Sequence, residues 1–197
     1  MKKTLYTLAL VAGFGSAAQA QGNVSLGLKA GASYASFTGP DAGGREGLFG
    51  FHGGAFANIG LSKMFAVQPE ILFSQKGAKS KDVTDVSSRV NYLDVPLAFH
   101  VNADGLFFEA GPQVGFLLSA KYNFGNVSVD AKEVTNAVDF GYLAGLGYQR
   151  KTGPGIGLRY NGGFSSISKP ITAGNTTVQN RIRNSVFQLY LTYSFGG

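Results

Sequence analysis

The segment Ser185-Val-Phe-Gln-Leu-Tyr-Leu-Thr-Tyr-Ser-Phe195 decides how the rest of the chain is read. Phe187, Leu189, Leu191, Tyr193 and Phe195 fall on every second residue, and Gln188, Tyr190, Thr192 and Ser194 fall between them. A period of two is that of a β-strand, whose side chains alternate between two faces. One face here is apolar and the other can be wet. A half-buried strand of a soluble sandwich has the same pattern, so the environment of the apolar face has to be decided by the other segments.

Seven earlier segments repeat that alternation, and strands are expected over 24–36, up to about Leu61, 64–76, 89–101, 106–120, 138–150 and 154–165. In the first, Leu26, Leu28, Ala30 and Ala32 oppose Gly27, Lys29, Gly31 and Ser33. In the fourth, Leu93, Val95, Leu97 and Phe99 oppose Tyr92, Asp94, Pro96 and Ala98. Polar, Gly-rich stretches separate the segments at 37–47, 77–88, 121–137 and up to Ile182, and brief breaks fall at 62–63, 102–105 and 151–153. Long and short connections therefore alternate. A sandwich gives no reason for that, whereas a membrane barrel of even strand number has short turns at one end and long loops at the other. Segments of about 12 residues exceed the roughly 9 to 11 a tilted strand needs to cross a bilayer. The expected fold is an all-β, eight-stranded antiparallel up-and-down transmembrane β-barrel, with short periplasmic turns and long extracellular loops, its apolar parity toward lipid.

The N-terminus fits export. Lys2 and Lys3 precede an uncharged run from Leu5 to Phe14, and Ala18-Gln19-Ala20 stands before Gln21. That is the three-part pattern of a secretory signal peptide. Cleavage is expected after Ala20, guided by Ala18 and Ala20, which makes residues 1–20 the signal and 21–197 one barrel domain starting at Gln21. The formal charge of +6 falls to +4 without Lys2 and Lys3, and no basic run suggests a nucleic-acid surface. After the signal, no apolar stretch is long enough for a spanning helix, so an integral protein would have to be a closed barrel. The chain has no cysteine and no tryptophan, but 29 glycines and many aromatics.

Pro69, Pro96 and Pro112 lie inside expected strands, where a missing N–H removes a ladder bond, and bulges or ends of local pairing are expected there. They fall in three segments, F-A-V-Q-P-E-I-L-F-S-Q-K-G at 65–77, N-Y-L-D-V-P-L at 91–97 and E-A-G-P-Q-V-G at 109–115. Together with the aromatic strand at the C-terminus, these segments resemble the PorT-like family of outer-membrane β-barrel proteins, often called the porin family. The chain departs from the usual terminal Phe of such barrels by Gly196-Gly197. The resemblance implies the outer membrane of a Gram-negative-type cell, contact with outer-membrane lipid, handling of the last strand by the barrel-assembly machinery, and envelope or secretion protein partners. It implies no catalytic residues.

The inward parity gathers Glu70, Asp94 and Glu109 from three successive strands, at similar distances from their short turns. Lys29, Lys76, His100 and Arg159 share it. Carboxylates in a narrow barrel need cationic partners, and Lys29 and Arg159, from the first and seventh strands, are the expected ones. This luminal charge cluster is read as a structural plug, because small eight-stranded barrels are filled by side chains. A cation or proton path along the same carboxylates is the functional alternative. No nucleophile accompanies them, so no enzyme activity and no cofactor are expected. His52 and His100 lack further ligands at metal-binding spacing. The function expected is that of a monomeric outer-membrane barrel with a structural or interaction role linked to secretion or envelope assembly. The alternatives are a small pore for ions or solutes, and a periplasmic lipocalin-like barrel, which would need its apolar parity inside. On closure, Phe187, Leu189 and Leu191 are expected beside Leu26, Leu28 and Ala30.

Overall fold

A computed structural model describes residues 24–173 and 176–195; the expected signal peptide and its cleavage point, Ala18, Ala20 and Gln21, lie outside them. Eight strands close into one antiparallel barrel in chain order. They are β1 (Val24–Thr38), β2 (Arg45–Gly60), β3 (Phe65–Ser80), β4 (Val86–Ala103), β5 (Leu106–Phe124), β7 (Val138–Gln149), β8 (Gly153–Gly163) and β11 (Arg183–Ser194). Three short strands stand outside the wall: β6 (Val127–Asp130) extends β5, and β9 (Ile171–Ala173) pairs with β10 (Thr176–Val178). Pairing of β1 with β11 and of β4 with β5 completes the ring. Among the described residues, no helix is long and apolar enough to cross a membrane.

The period-two pattern sorts the side chains as expected. Leu28, Phe108, Ile156, Leu158, Leu189 and Leu191 are at least half exposed on the outer wall, while Lys29, Glu70, Asp94, Glu109 and Arg159 are 1–3% exposed inside. An apolar outside around a polar inside is the reverse of a lipocalin, and that alternative is corrected by this geometry. Aromatic side chains ring the outer wall near its loop end. Tyr160, Phe187, Tyr34 and Phe49 follow one another along a single row of strand partners, with ring centroids 5.0 Å apart for both Tyr160–Phe187 and Tyr34–Phe49. Tyr148, Tyr193 and Phe195 stand exposed near the turn end. Two such belts mark the two interfaces of a bilayer.

The seam closes in a different register from the expected one. Leu191 does lie opposite Ala30, but Leu189 meets Ala32, Phe187 meets Tyr34 and Leu28 meets Tyr193. Alternation fixes which face a residue takes, and the stagger of a closed barrel fixes which residue it meets.

The prolines interrupt pairing without bulging the strands. Strand pairing lapses between Phe56↔Glu70 and Ile59↔Val67, between Pro69↔Leu97 and Leu72↔Asp94, and between Pro96↔Gln113 and Phe99↔Ala110. Each gap contains one proline, and pairing resumes in the same register. On its other side each proline is paired, Pro69 with Leu97, Pro96 with Gln113 and Pro112 with Tyr142. One missing N–H costs the ladder toward one neighbour only. The bulges lie higher, between Gly47 and His52 on β2 and at Leu118 on β5, opposite Asn91 and Tyr92 of β4.

The connections at the turn end are 61–64, 104–105 and 150–152. Asp104 (φ 49°) and Gly105 (φ 90°) both take positive φ, as a two-residue hairpin loop of the primed type requires. At the other end the connections are 39–44, 81–85, 125–137 and 164–182. The first two are shorter than expected, because polar residues assigned to loops continue the ladder, with Arg45 opposite Ser80 and Glu46 opposite Lys79. Backbone pairing needs no apolar face once a ribbon stands clear of the lipid.

Candidate functional site: the ion networks inside the barrel

Around the ring, β3 and β8 stand opposite each other, four strands apart either way. Arg159 on β8 reaches across that diameter. Its Nη1 donates to Glu70 Oε2 (2.8 Å) and its Nη2 to Glu70 Oε1 (2.8 Å), while Nε donates to Glu109 Oε1 (2.8 Å) and Nη2 to Glu109 Oε2 (2.5 Å). The planar guanidinium thus forks onto two carboxylates at once, a geometry that lysine lacks. Lys29 Nζ donates to Glu70 Oε1 at 2.6 Å and lies 4.2 Å from the centre of the Tyr190 ring. Gln68 Nε2 (2.7 Å) and Tyr190 OH (2.8 Å) give further bonds to Glu70 and Glu109. Two carboxylates face two cations, so the group carries no net charge and every carboxylate oxygen accepts a bond. Small residues make the room: a side chain at Gly157 would run into the Tyr190 ring, and one at Gly145 into Glu109 Oε1.

Asp94 does not join this group, contrary to expectation. His100 is the partner of Glu109, but Asp94 is the partner of Gly115, six residues further along β5, about 20 Å of strand. The carboxylates are therefore not at one height. Asp94 Oδ1 accepts from Lys76 Nζ at 3.1 Å, and Asp139 Oδ2 lies 3.7 Å from the same nitrogen. Asn184 Nδ2 (2.8 Å) and Ser165 Oγ (3.0 Å) donate to Asp139, and Lys76 Nζ sits 4.6 Å from the centre of the Tyr92 ring. Lys76 shares the inward parity in sequence, but its pairing with Asp94 and the part played by Asp139 were not legible there, because both follow from register and strand tilt.

His52 Nδ1 lies 3.0 Å from Ser33 Oγ, a serine–histidine contact that no carboxylate extends. His100 stacks on Phe107, with ring centroids 4.8 Å apart, and its Nε2 lies 3.4 Å from Glu109 Oε2. The two histidines do not meet, and among the described residues no group of three or more His, Cys, Asp or Glu could hold a metal ion.

The two mouths of the barrel differ. At the loop end, Phe37, Val90, Tyr92 and Ala120 of the wall pack with Ala42, Ala131, Ile167 and Ile182 of the connections in one apolar cluster. Backbone bonds knit this cap, from Asn136 N to Ile167 O and from Ile167 N to Ile182 O (both 2.8 Å) and from Lys169 N to Val134 O (2.9 Å). At the turn end, a vestibule of about 330 Å³ opens between the strand ends, with Lys29 and Tyr190 on its inner wall.

A closed eight-stranded barrel with a lipid-facing apolar wall, aromatic belts and a charged, filled interior is the architecture of an outer-membrane protein. A family model described as outer membrane protein beta-barrel domain matches residues 17–169, and the chain belongs to that family. Among solved structures, Neisserial surface protein A is similar with a TM-score of 0.55 and 14% identity, over 87% of this chain and 99% of that one. The attachment invasion locus protein Ail of Yersinia pestis, solved in complex with the heparin analogue sucrose octasulfate, gives a TM-score of 0.48 and 14% identity, over 88% and 99%. The outer membrane protein AlkL, solved in lipid bilayers, gives 0.42 and 13% identity, over 89% and 92%. A search of the curated proteins matches none.

Proposed function

We propose that the protein is a monomeric barrel of the outer membrane, exported by its N-terminal signal and closed to solutes, that acts as a structural or interaction protein. The observation that carries this reading is the Arg159–Glu70–Glu109 bridge, which spans the lumen from β8 to β3 with all of its carboxylate oxygens bonded. A pore would have to part those bonds and also lift the apolar cap. Eight-stranded barrels leave an interior just wide enough for side chains, whereas aqueous porins use 16 to 18 strands. With the lumen filled, the remaining interaction surfaces are the connections at the loop end and the vestibule at the turn end. The three proline-bearing segments at 65–77, 91–97 and 109–115 support a PorT-like assignment, and through it a link to secretion or envelope assembly.

Two measurements test this. In planar bilayers the purified barrel is expected to give no steady conductance; reproducible unit steps whose ion selectivity changes when the charge at Glu70 or Arg159 is reversed would establish the pore instead. Cross-linking in intact outer membranes is expected to capture defined envelope proteins, and recovery of the barrel free of any protein neighbour would count against an interaction role.

A further inference from the structure

We propose that the vestibule at the turn end is an anion-binding site, shaped for one carboxylate or phosphate group. Its rim carries Lys63 from the β2–β3 turn and Arg150 and Lys151 from the β7–β8 turn, with Asp104 as the opposing charge. None of these three cations is ion-paired among the described residues. The inner wall continues the same sign. Lys29, 2% exposed, lines the cavity and has one hydrogen bond, to Glu70, for its three donors. The oxygens of Glu70 and Glu109 are already taken by Arg159, Lys29, Gln68 and Tyr190, so neither carboxylate offers a free acceptor to the cavity.

Two buried side chains of the lining bear on the site besides the rim. Ser194 Oγ, in a residue 2% exposed, has no hydrogen-bond partner, and His100, 4% exposed, turns its Nε2 toward Glu109 Oε2 at 3.4 Å. Both residues line the vestibule. A buried polar atom left unsatisfied costs free energy, and rotation of the Ser194 side chain toward the cavity would let a bound oxygen satisfy its hydroxyl. The cavity volume suits a small ligand, and a cleft with low-dielectric walls concentrates the field of its rim charges. Phe56 and Phe107 also line the cavity and leave an apolar wall for the body that carries the anion. The carboxylate could belong to the end of a peptide chain and the phosphate to a free small molecule; the chemistry recognised is the same. This site requires neither a particular role for the loops nor a particular orientation in the membrane.

The test titrates the full barrel in a zwitterionic detergent with acetyl-alanyl-alanine, its neutral amide, and inorganic phosphate. Salt is held at about 0.15 M, which screens exposed charges beyond roughly 8 Å. Saturable amide NMR shifts at Ser194, Gln149 and His100 are expected with the free peptide or phosphate and not with the amide. Response to the peptide alone assigns a chain terminus, and response to phosphate alone assigns a phosphate source. The combined variant Lys63→Gln, Arg150→Gln, Lys151→Gln is expected to weaken binding at least about tenfold. Ser194→Ala leaves every charge in place and is expected to weaken it several-fold. Shifts that never saturate, an equal response to the amide, or affinity indifferent to Ser194→Ala would each overturn the proposal.

Discussion

Replacing Arg159 by Met removes a side chain that bridges opposite walls of the barrel, and the structure sets the scale of the loss. Four charge-assisted hydrogen bonds go. Summed at roughly 1.5–3 kcal/mol each they would suggest about 6–12 kcal/mol, but bonds in one network are not additive. Charge balance gives the better guide. Glu70 keeps Lys29 and Gln68, whereas Glu109 is left with the hydroxyl of Tyr190 and a histidine at 3.4 Å. One buried carboxylate then lacks a cation, and breaking a buried pair on one side costs about 3–5 kcal/mol. Urea unfolding from lipid vesicles, followed by circular dichroism and by the shift between folded and unfolded bands on unheated gels, measures it. At about 2 kcal/mol per molar of urea, the midpoint is expected to fall by roughly 2 M. Adding Glu109→Gln removes the orphaned charge and leaves Lys29 and Glu70 as a balanced pair. The double variant is therefore expected to be more stable than Arg159→Met alone by more than about 1 kcal/mol. A midpoint shift below about 0.5 M for the single variant, or a double variant no more stable than the single, would refute the reasoning.

Two further outcomes follow from the same map. Leu158, half exposed on the outer wall between Leu146 and Leu189, is placed near mid-membrane, so Leu158→Arg is expected to cost about 2–4 kcal/mol in vesicle refolding; a cost below 1 kcal/mol would mean that this face does not meet lipid. Lys76→Met strands Asp94 and Asp139 and is expected to cost about 3–5 kcal/mol by the same urea assay, against less than about 0.5 kcal/mol for Lys63→Met at the exposed rim; equal effects would mean that the upper ion group is not a closed, water-poor site.

Strand number and the face of each residue are legible in the sequence alone, because both rest on local repetition. Leu26 to Ala32 and Leu93 to Phe99 alternate without a break, and steric alternation along a strand does not depend on what the strand pairs with. Charged residues falling on the polar parity, Lys29, Glu70, Asp94, Glu109 and Arg159, had for the same reason to share one interior. The boundaries at the loop end were less legible. Arg45, Glu46, Lys79 and Ser80 look like loop by composition, yet they pair because a ribbon above the bilayer needs backbone partners and no apolar face.

The partners inside the barrel belong to the tertiary structure alone. Two residues of one parity meet only when stagger brings their rows together, and stagger is a property of the closed ring. It carries Arg159 across to Glu70, lifts Asp94 away to Lys76, and moves the partner of Phe187 from the expected Leu26–Ala30 stretch up to Tyr34. The prolines show the same division. Their sequence positions announced missing ladder bonds, but the ring decided that the loss falls on one neighbour while the register on both sides holds. The alternating sequence therefore determined a two-faced, eight-stranded wall by itself, since each strand carries its own pattern. Which charges neutralise one another and which mouth is capped were decided only when that wall closed, because those contacts join different strands and connections, with ion pairs from 18 positions apart for Lys76–Asp94 to 89 for Arg159–Glu70.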